Sequence, residues 1–243
     1  NDGKSWESLQ LNLPAVPVTD IAVKDQDVVV STQGRSFWIL DDITPMRQST
    51  RESDRAEVYL FEPAPAYRVG WDRVRVHYRL GEGVEGPVSI AFLDEDGVEI
   101  QSFERKGKGA DGDDAAEDEE ESWWGGDWGQ GDRVPADAGL NAFEWNMRYE
   151  GPTSVPGAVG WPPAPRQGPM VAPGTYTVRL AVGDTEMERT FEVLPDPEVE
   201  TPVEGYETQV AMLLEIRDLP GEVNEGINTI PPVRREGDAA VRP

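Results

Sequence analysis

The sequence predicts a mainly β protein. Glycine and proline number 25 and 21 in 243 residues, which breaks the chain too often for a helical bundle and favours many short strands and turns. Between the breaks, apolar residues form short continuous runs or alternate with polar ones, and both patterns are strand signatures. Helical spacing enters only after residue 201. The expected order is a set of short strands, an antiparallel sandwich and a short C-terminal helical hairpin. An apolar content of 37% is enough for modest cores.

Residues 1–62 read as strands and a linker. Asn1 to Trp6 looks like the interior of a hairpin. Asp20 to Lys24 alternates, with Ile21 and Val23 on one side. Val28-Val29-Val30 and Phe37-Trp38-Ile39-Leu40 are continuous apolar runs, as expected of strands buried on both faces. Asp25-Gln26-Asp27 separates the first two strands, and Gln33-Gly34-Arg35 is the hairpin turn before the third. Three closely spaced antiparallel strands resemble most of one propeller blade. Thr44-Pro45 reads as a helix start, with Thr44 as cap and Pro45 in the first turn. A polar linker over 48–56 and a short strand, Val58 to Phe61, follow.

Residues 63–195 carry the clearest alternation. Val74, Val76, Tyr78 and Leu80 alternate with Arg73, Arg75, His77 and Arg79. Val88, Ile90 and Phe92 follow; after a turn at Asp96-Gly97 come Val98, Ile100 and Phe103. Phe143, Trp145 and Met147 repeat the pattern. Tyr176, Val178, Leu180 and Val182 form one face of a late strand, and Gly183-Asp184 turns into Met187, Arg189, Phe191 and Val193. Five or six half-buried strands joined by tight turns describe an antiparallel Ig-like β-sandwich. An acidic insert over 105–135 interrupts it, and its run of like charges predicts a solvated, disordered loop. A Pro- and Gly-rich excursion covers 151–173.

Residues 196–230 switch to helical spacing. Thr201-Pro202-Val203-Glu204 is a capping-box pattern, and Tyr206, Val210, Leu213 and Arg217 lie three or four apart. Leu219-Pro220 predicts a break, with a second helix striped by Val223, Ile227 and Ile230. The tail, 231–243, has no core-forming pattern and reads as disordered.

Charge narrows the partners. Acidic side chains outnumber basic ones by 47 to 22, for a net charge of −25. Such a surface repels nucleic acid and anionic lipid. Its lysines are few, Lys4, Lys24, Lys106 and Lys108, a balance that suits a salt-rich habitat. There is no cysteine, hence no disulfide and no thiolate metal site. No apolar run approaches the ~20 residues that span a membrane.

Several segments carry a resemblance. Asn1-Asp2-Gly3-Lys4-Ser5-Trp6 is similar to the end of an Asp-box, the S-x-D-x-G-x-T-W turn of bacterial neuraminidase (BNR) repeats. Asn1 stands at the Asp, Gly3 at the Gly, Ser5 at the Thr and Trp6 at the aromatic. Gly3 supplies the positive φ such a turn needs, and the aromatic is expected to anchor the hairpin in its blade. The stretch from Asp20 through Gly34-Arg35-Ser36-Phe37-Trp38 to Pro45 resembles the closing blade of secreted bacterial sortilin-type β-propeller proteins, often labelled glycosyl hydrolases. The family pattern reads His-Gly-Arg-Ser-Phe-Trp there, and Gln33 replaces that His. Residues 139–149 and 172–180 resemble the Ig-like domain that follows such a propeller, of flagellar hook-capping type, and 201–230 resembles its terminal helices.

The resemblance implies the C-terminal region of a secreted protein, extracellular, periplasmic or at the cell surface, packed on a propeller that precedes it. The expected function is non-catalytic: binding or assembly through protein or glycan recognition and closure of the propeller. One alternative is a part of a glycoside hydrolase whose catalytic residues lie in other blades. Another is a surface adhesin.

Individual candidates are few. His77 is the sole histidine, so a Ser/His/Asp triad or a His-based metal site would need it. Its place between Arg75 and Arg79 predicts an exposed strand residue. Asp41 and Asp42 point in different directions at a strand end, which suits helix entry better than a glycosidase carboxylate pair. The acidic insert offers oxygens to calcium but lacks the EF-hand spacing. P-loop, dinucleotide and zinc signatures are absent, so no catalytic residue, cofactor or metal is assigned. Trp123, Trp124 and Trp128 in the insert are expected to fold back onto the protein, with stacking on sugar rings or a partner as the alternative. Arg35 at the blade hairpin offers a fork to an anionic ligand.

Overall fold

The computed structural model describes residues 3, 4, 6, 8–84, 86–105, 134–153 and 167–229. The acidic insert from 106 to 133, with its three tryptophans, the segment 154–166 and the tail 231–243 lie outside these residues. The chain is mainly β and divides into two compact units, Asn1–Arg55 and Ala56–Pro243.

The first unit is a three-stranded antiparallel sheet in the order β1 (Val18–Lys24), β2 (Asp27–Thr32), β3 (Phe37–Leu40). Tight turns join the strands where side-chain chemistry tolerates positive φ. Asp25 at 53° turns β1 into β2, and Gly34 at 85° with Ser36 at 64° turns β2 into β3. The register pairs Ile21 with Val30 and Val23 with Val28, then Val30 with Trp38 and Val28 with Leu40. One face is thus mostly apolar, with Thr32 at its end. The other carries Ala22, Val29, Ile39 and Phe37 among polar neighbours.

Expected burial fails here. None of the three strands holds a buried residue, Ile21 and Ile39 are each 60% exposed, and Phe37 is 71% exposed. A three-stranded sheet cannot bury both of its faces by itself. Trp6 also departs from expectation. It is 87% exposed and turns back to donate its indole N–H to the Gly3 carbonyl at 3.0 Å, over a Gly3 that does adopt positive φ.

After β3, Asp42 takes φ 52° and accepts the Thr44 amide at 3.0 Å, so this Asp serves the helix entry expected of it. The short α1 (Thr44–Gln48) follows, with Ile43 at its N-cap and no side-chain cap bond from Thr44. Two bonds to Gln26, from the Ile43 amide at 2.7 Å and the Arg47 guanidinium at 2.8 Å, strap this segment to the β1–β2 turn.

The second unit is an antiparallel sandwich. Its larger sheet runs β5 (Ala66–Tyr67), β13 (Thr185–Leu194), β12 (Gly174–Val182), β7 (Val88–Leu93), β8 (Glu99–Arg105). Only the β5–β13 pair is parallel. Its smaller sheet runs β4 (Val58–Leu60), β6 (Val74–Leu80), β9 (Gly139–Trp145). Because β4 pairs with β6, this unit begins at Ala56, ahead of the 62/63 boundary drawn from composition.

The alternating residues read from sequence do face inward. Val74, Val76, Tyr78 and Leu80 meet Val88, Ile90, Phe92, Val178, Leu180 and Phe191 in one core. Trp145 lies flat on Phe92, with ring centroids 4.2 Å apart and planes 12° apart. Its indole N–H is satisfied by Gln101 Oε1 at 3.1 Å and the Arg148 carbonyl at 3.3 Å. The Tyr176 hydroxyl bonds back to the Ala172 carbonyl at 2.7 Å, and the Tyr78 hydroxyl bonds to that of Pro135.

His77 is a correction. It is 8% exposed, where its polar neighbours predicted exposure. β6 is the middle strand of its sheet, and the Phe61 amide donates to the His77 carbonyl at 3.0 Å. Continuing the β4–β6 register sets buried Phe61 opposite His77, so an aromatic neighbour covers the face that alternation assigns to solvent.

The expected helical hairpin is a single helix, α2 (Val203–Asn228), which runs through Pro220. A proline inside a helix costs about 3 kcal/mol, so tertiary contacts must offset it. They flank the site: Tyr206 and Val210 are buried, Arg217 donates to the Glu150 carbonyl at 3.3 Å, and Asn224 donates to that of Thr153 at 2.7 Å. Among the described residues no helix is long and apolar enough to cross a membrane.

Two tests follow from this core. Trp145→Ala removes the stacked ring and should cost about 3–5 kcal/mol in urea unfolding. Burial pushes the phenols of Tyr78 and Tyr176 above the usual tyrosine range. A phenol kept neutral in the folded state stabilises it fully below the unfolded pKa of about 10, and that stability falls as pH rises further. Urea midpoints should therefore drop above about pH 10. Tyr78→Phe should soften that drop while costing about 1 kcal/mol at neutral pH through the lost bond to Pro135.

Candidate functional site

The residues singled out from sequence do not converge. Arg35 sits exposed in the β2–β3 turn, where its backbone carbonyl accepts the Trp38 indole N–H at 3.0 Å. Trp123, Trp124 and Trp128 lie outside the described residues. The cleft that does form lies in the second unit and draws on residues that local patterning passed over.

This cleft has a volume of about 760 Å³. One wall is the loop after β5, with Tyr67, Val69 and Trp71. A second comes from β10 (Arg148–Glu150) and β11 (Gln167–Met170), which pair antiparallel and contribute Arg148 and Met170. Asp196 and Glu198, just past β13, form a third, and Gln209 and Leu213 of α2 close the fourth.

The Trp71 loop is held by one carboxylate. Asp72 accepts the Tyr67 amide through Oδ2 at 2.7 Å and the Arg73 amide through Oδ1 at 2.8 Å. The Val69 amide donates to the Tyr67 carbonyl at 2.7 Å, closing a tight turn. Trp71 rides on this frame with 78% of its surface exposed.

Arg68 is anchored from several sides. Its Nε donates to the Val171 carbonyl at 2.6 Å and its Nη2 to Gln209 Oε1 at 3.2 Å. Its guanidinium lies over the Tyr206 ring, 4.9 Å from the centroid, which ties β5, β11 and α2 together. Arg148 is positioned by the turn after β9, where Met147 takes φ 58°, and by its Nη1 bond to the Gly168 carbonyl at 3.0 Å. Its Nε–Nη2 edge has no protein acceptor among the described residues.

Two guanidinium groups line the cleft, Arg68 and Arg148, and the charge of Arg73 is felt at Arg148. Among the described residues Arg68, Arg73 and Arg148 form no ion pair, although acids outnumber bases twofold in the chain. Burial lowers the pKa of Arg68 and Arg148 from the usual arginine value; the charge of Arg148 adds to the effect at Arg68, and that of Arg73 at Arg148. Both remain cationic in water, so the cleft holds a local positive field set beside the carboxylates of Asp196 and Glu198. Planar polar groups of both signs next to exposed aromatics can stack a ring and exchange several hydrogen bonds with it.

Gly168 makes this arrangement possible. A Cβ there would overlap the carbonyl oxygens of Tyr149 and Glu150, so only glycine lets β10 and β11 approach this closely. Gly168→Ala should push the strands apart, cost about 1–3 kcal/mol by urea unfolding, and speed amide exchange at Val171, whose N–H bonds the Met147 carbonyl at 2.8 Å. No family model, curated protein or solved structure matches this chain.

Proposed function

We infer that this chain is the non-catalytic C-terminal region of a secreted β-propeller protein, with an assembly role for its first unit and a recognition role for its second. The observation that carries the reading is the sheet β1–β3, which bears large apolar side chains on both faces and buries none of them. A sheet at the surface of an ordinary domain buries one face and shows water a polar one. A propeller blade is pressed between neighbouring blades and needs apolar side chains on each side. Ile21 with Val23 on one face, and Phe37 with Ile39 on the other, supply that pattern. The likeness of residues 20–45 to a closing blade points the same way. α2 adds a further exposed apolar stripe, Met212, Ile216 and Leu219, suited to packing within a larger assembly.

The test places one charge on each face of the sheet, as Ile21→Asp and Ile39→Asp. In residues 1–243 alone, both variants should melt as the parent chain does and bind less of a hydrophobic dye. On a polypeptide that also carries the flanking blades, each should cost about 3 kcal/mol or more, because a charge then enters a packed interface. Unchanged stability in the longer polypeptide would remove the blade reading.

A further inference from the structure

The cleft beside α2 holds a combination that the blade leaves unused. Trp71 keeps 78% of its surface open on a loop braced by Asp72, which forfeits the burial a large aromatic ordinarily provides. In the same cleft, the Nε–Nη2 edge of Arg148 has no protein acceptor among the described residues. That edge is the fork that grips a carboxylate through two parallel bonds. Fixing Nη1 on Gly168 and setting the residue after a positive-φ turn orients the fork in advance. Arg68 brings a second cation whose Nη1 takes no acceptor among the described residues.

We propose that this cleft binds a carboxylated sugar, a hexuronate unit within a glycan chain. Trp71 stacks on the C–H face of the pyranose ring. Arg148 takes the ring carboxylate through its fork, and Arg68 adds positive field. Asp196, Glu198 and Gln209 accept hydrogen bonds from hydroxyls along the chain. These acceptors favour a sugar over an acidic peptide. Two carboxylates in the cleft repel a purely anionic ligand, but they match one whose acidic groups alternate with hydroxyl donors. The volume of about 760 Å³ lies within the range of small-ligand sites. The proposal rests on reading the second unit as a recognition module.

The test titrates the 243-residue chain with oligogalacturonate, oligomannuronate and a hyaluronan hexasaccharide, alongside a neutral galacto-oligosaccharide and an oligoglutamate peptide. Calorimetry gives affinity, and tryptophan fluorescence reports contact with Trp71. At least one uronate oligomer should bind, about tenfold or more tighter than the neutral sugar or the peptide, and change the fluorescence. Trp71→Ala and Arg148→Lys should each weaken it by about tenfold with circular dichroism and melting unchanged; the lysine keeps the charge and loses the fork. Equal binding of the neutral sugar, or full affinity in either variant, overturns the site as drawn. Oligoglutamate bound as tightly as the uronates overturns the sugar and leaves a recognition module for acidic peptides. Silence from all five ligands overturns the site altogether. Blade stability is measured on separate variants, so the assembly and ligand readings can fail independently.

Discussion

Trp145 reaches from β9 into the core and lies flat against Phe92 of β7, and this contact joins the two sheets of the sandwich. Phe143, Tyr176 and Phe191 pack around the pair. The ring carries a polar N–H into a dry interior, which is costly unless satisfied. Gln101 and the Arg148 carbonyl satisfy it. The second bond has a consequence beyond the core: it holds the backbone of Arg148, a residue that lines the cleft. Packing of the interior and placement of the candidate ligand group are thus one constraint, and the turn at Met147 transmits it.

The two units solve the burial problem in opposite ways. The sandwich folds its apolar alternation inward and closes a core of its own. The sheet β1–β3 has apolar side chains on both faces and encloses neither. Hydrophobic stabilisation follows the area removed from water, so such a sheet gains most of its packing from something laid against it. That imbalance is the basis of the proposed assembly role. The proposed recognition role of the sandwich rests on a different feature, exposed aromatic surface beside guanidinium groups that carry no ion pair among the described residues.

Local pattern and tertiary context disagreed at definite places. Alternation assigned His77 to solvent, but it is buried, with the buried Phe61 bonded to its backbone from just past β4. Pro220 signalled a helix end, yet bonds from Arg217 and Asn224 hold both sides of it to the sandwich. Trp6 has the position of a blade anchor and folds onto Gly3 instead. Thr44 has the chemistry of a cap, while its hydroxyl is buried without a hydrogen bond and Asp42 takes the Thr44 amide. Each case turns on a neighbour distant in sequence or on a competing local acceptor, which a periodicity count does not weigh.

The strands and turns, the order of the two β regions and the inward faces of the sandwich were determined by the sequence itself. Period-2 alternation and turn residues act over a few positions, so they are legible without coordinates. The net negative charge of −25 was legible for the same reason, since charge is additive. The cleft was decided only by tertiary structure. Arg68 and Gln209 bond across 141 positions, and Arg148 and Trp71 join them through the β10–β11 pairing and the Asp72-braced loop. In sequence each of these residues is an ordinary polar or aromatic member of a strand or loop. What makes them a site is the closure of long loops around one core, and that is a property of the packed chain.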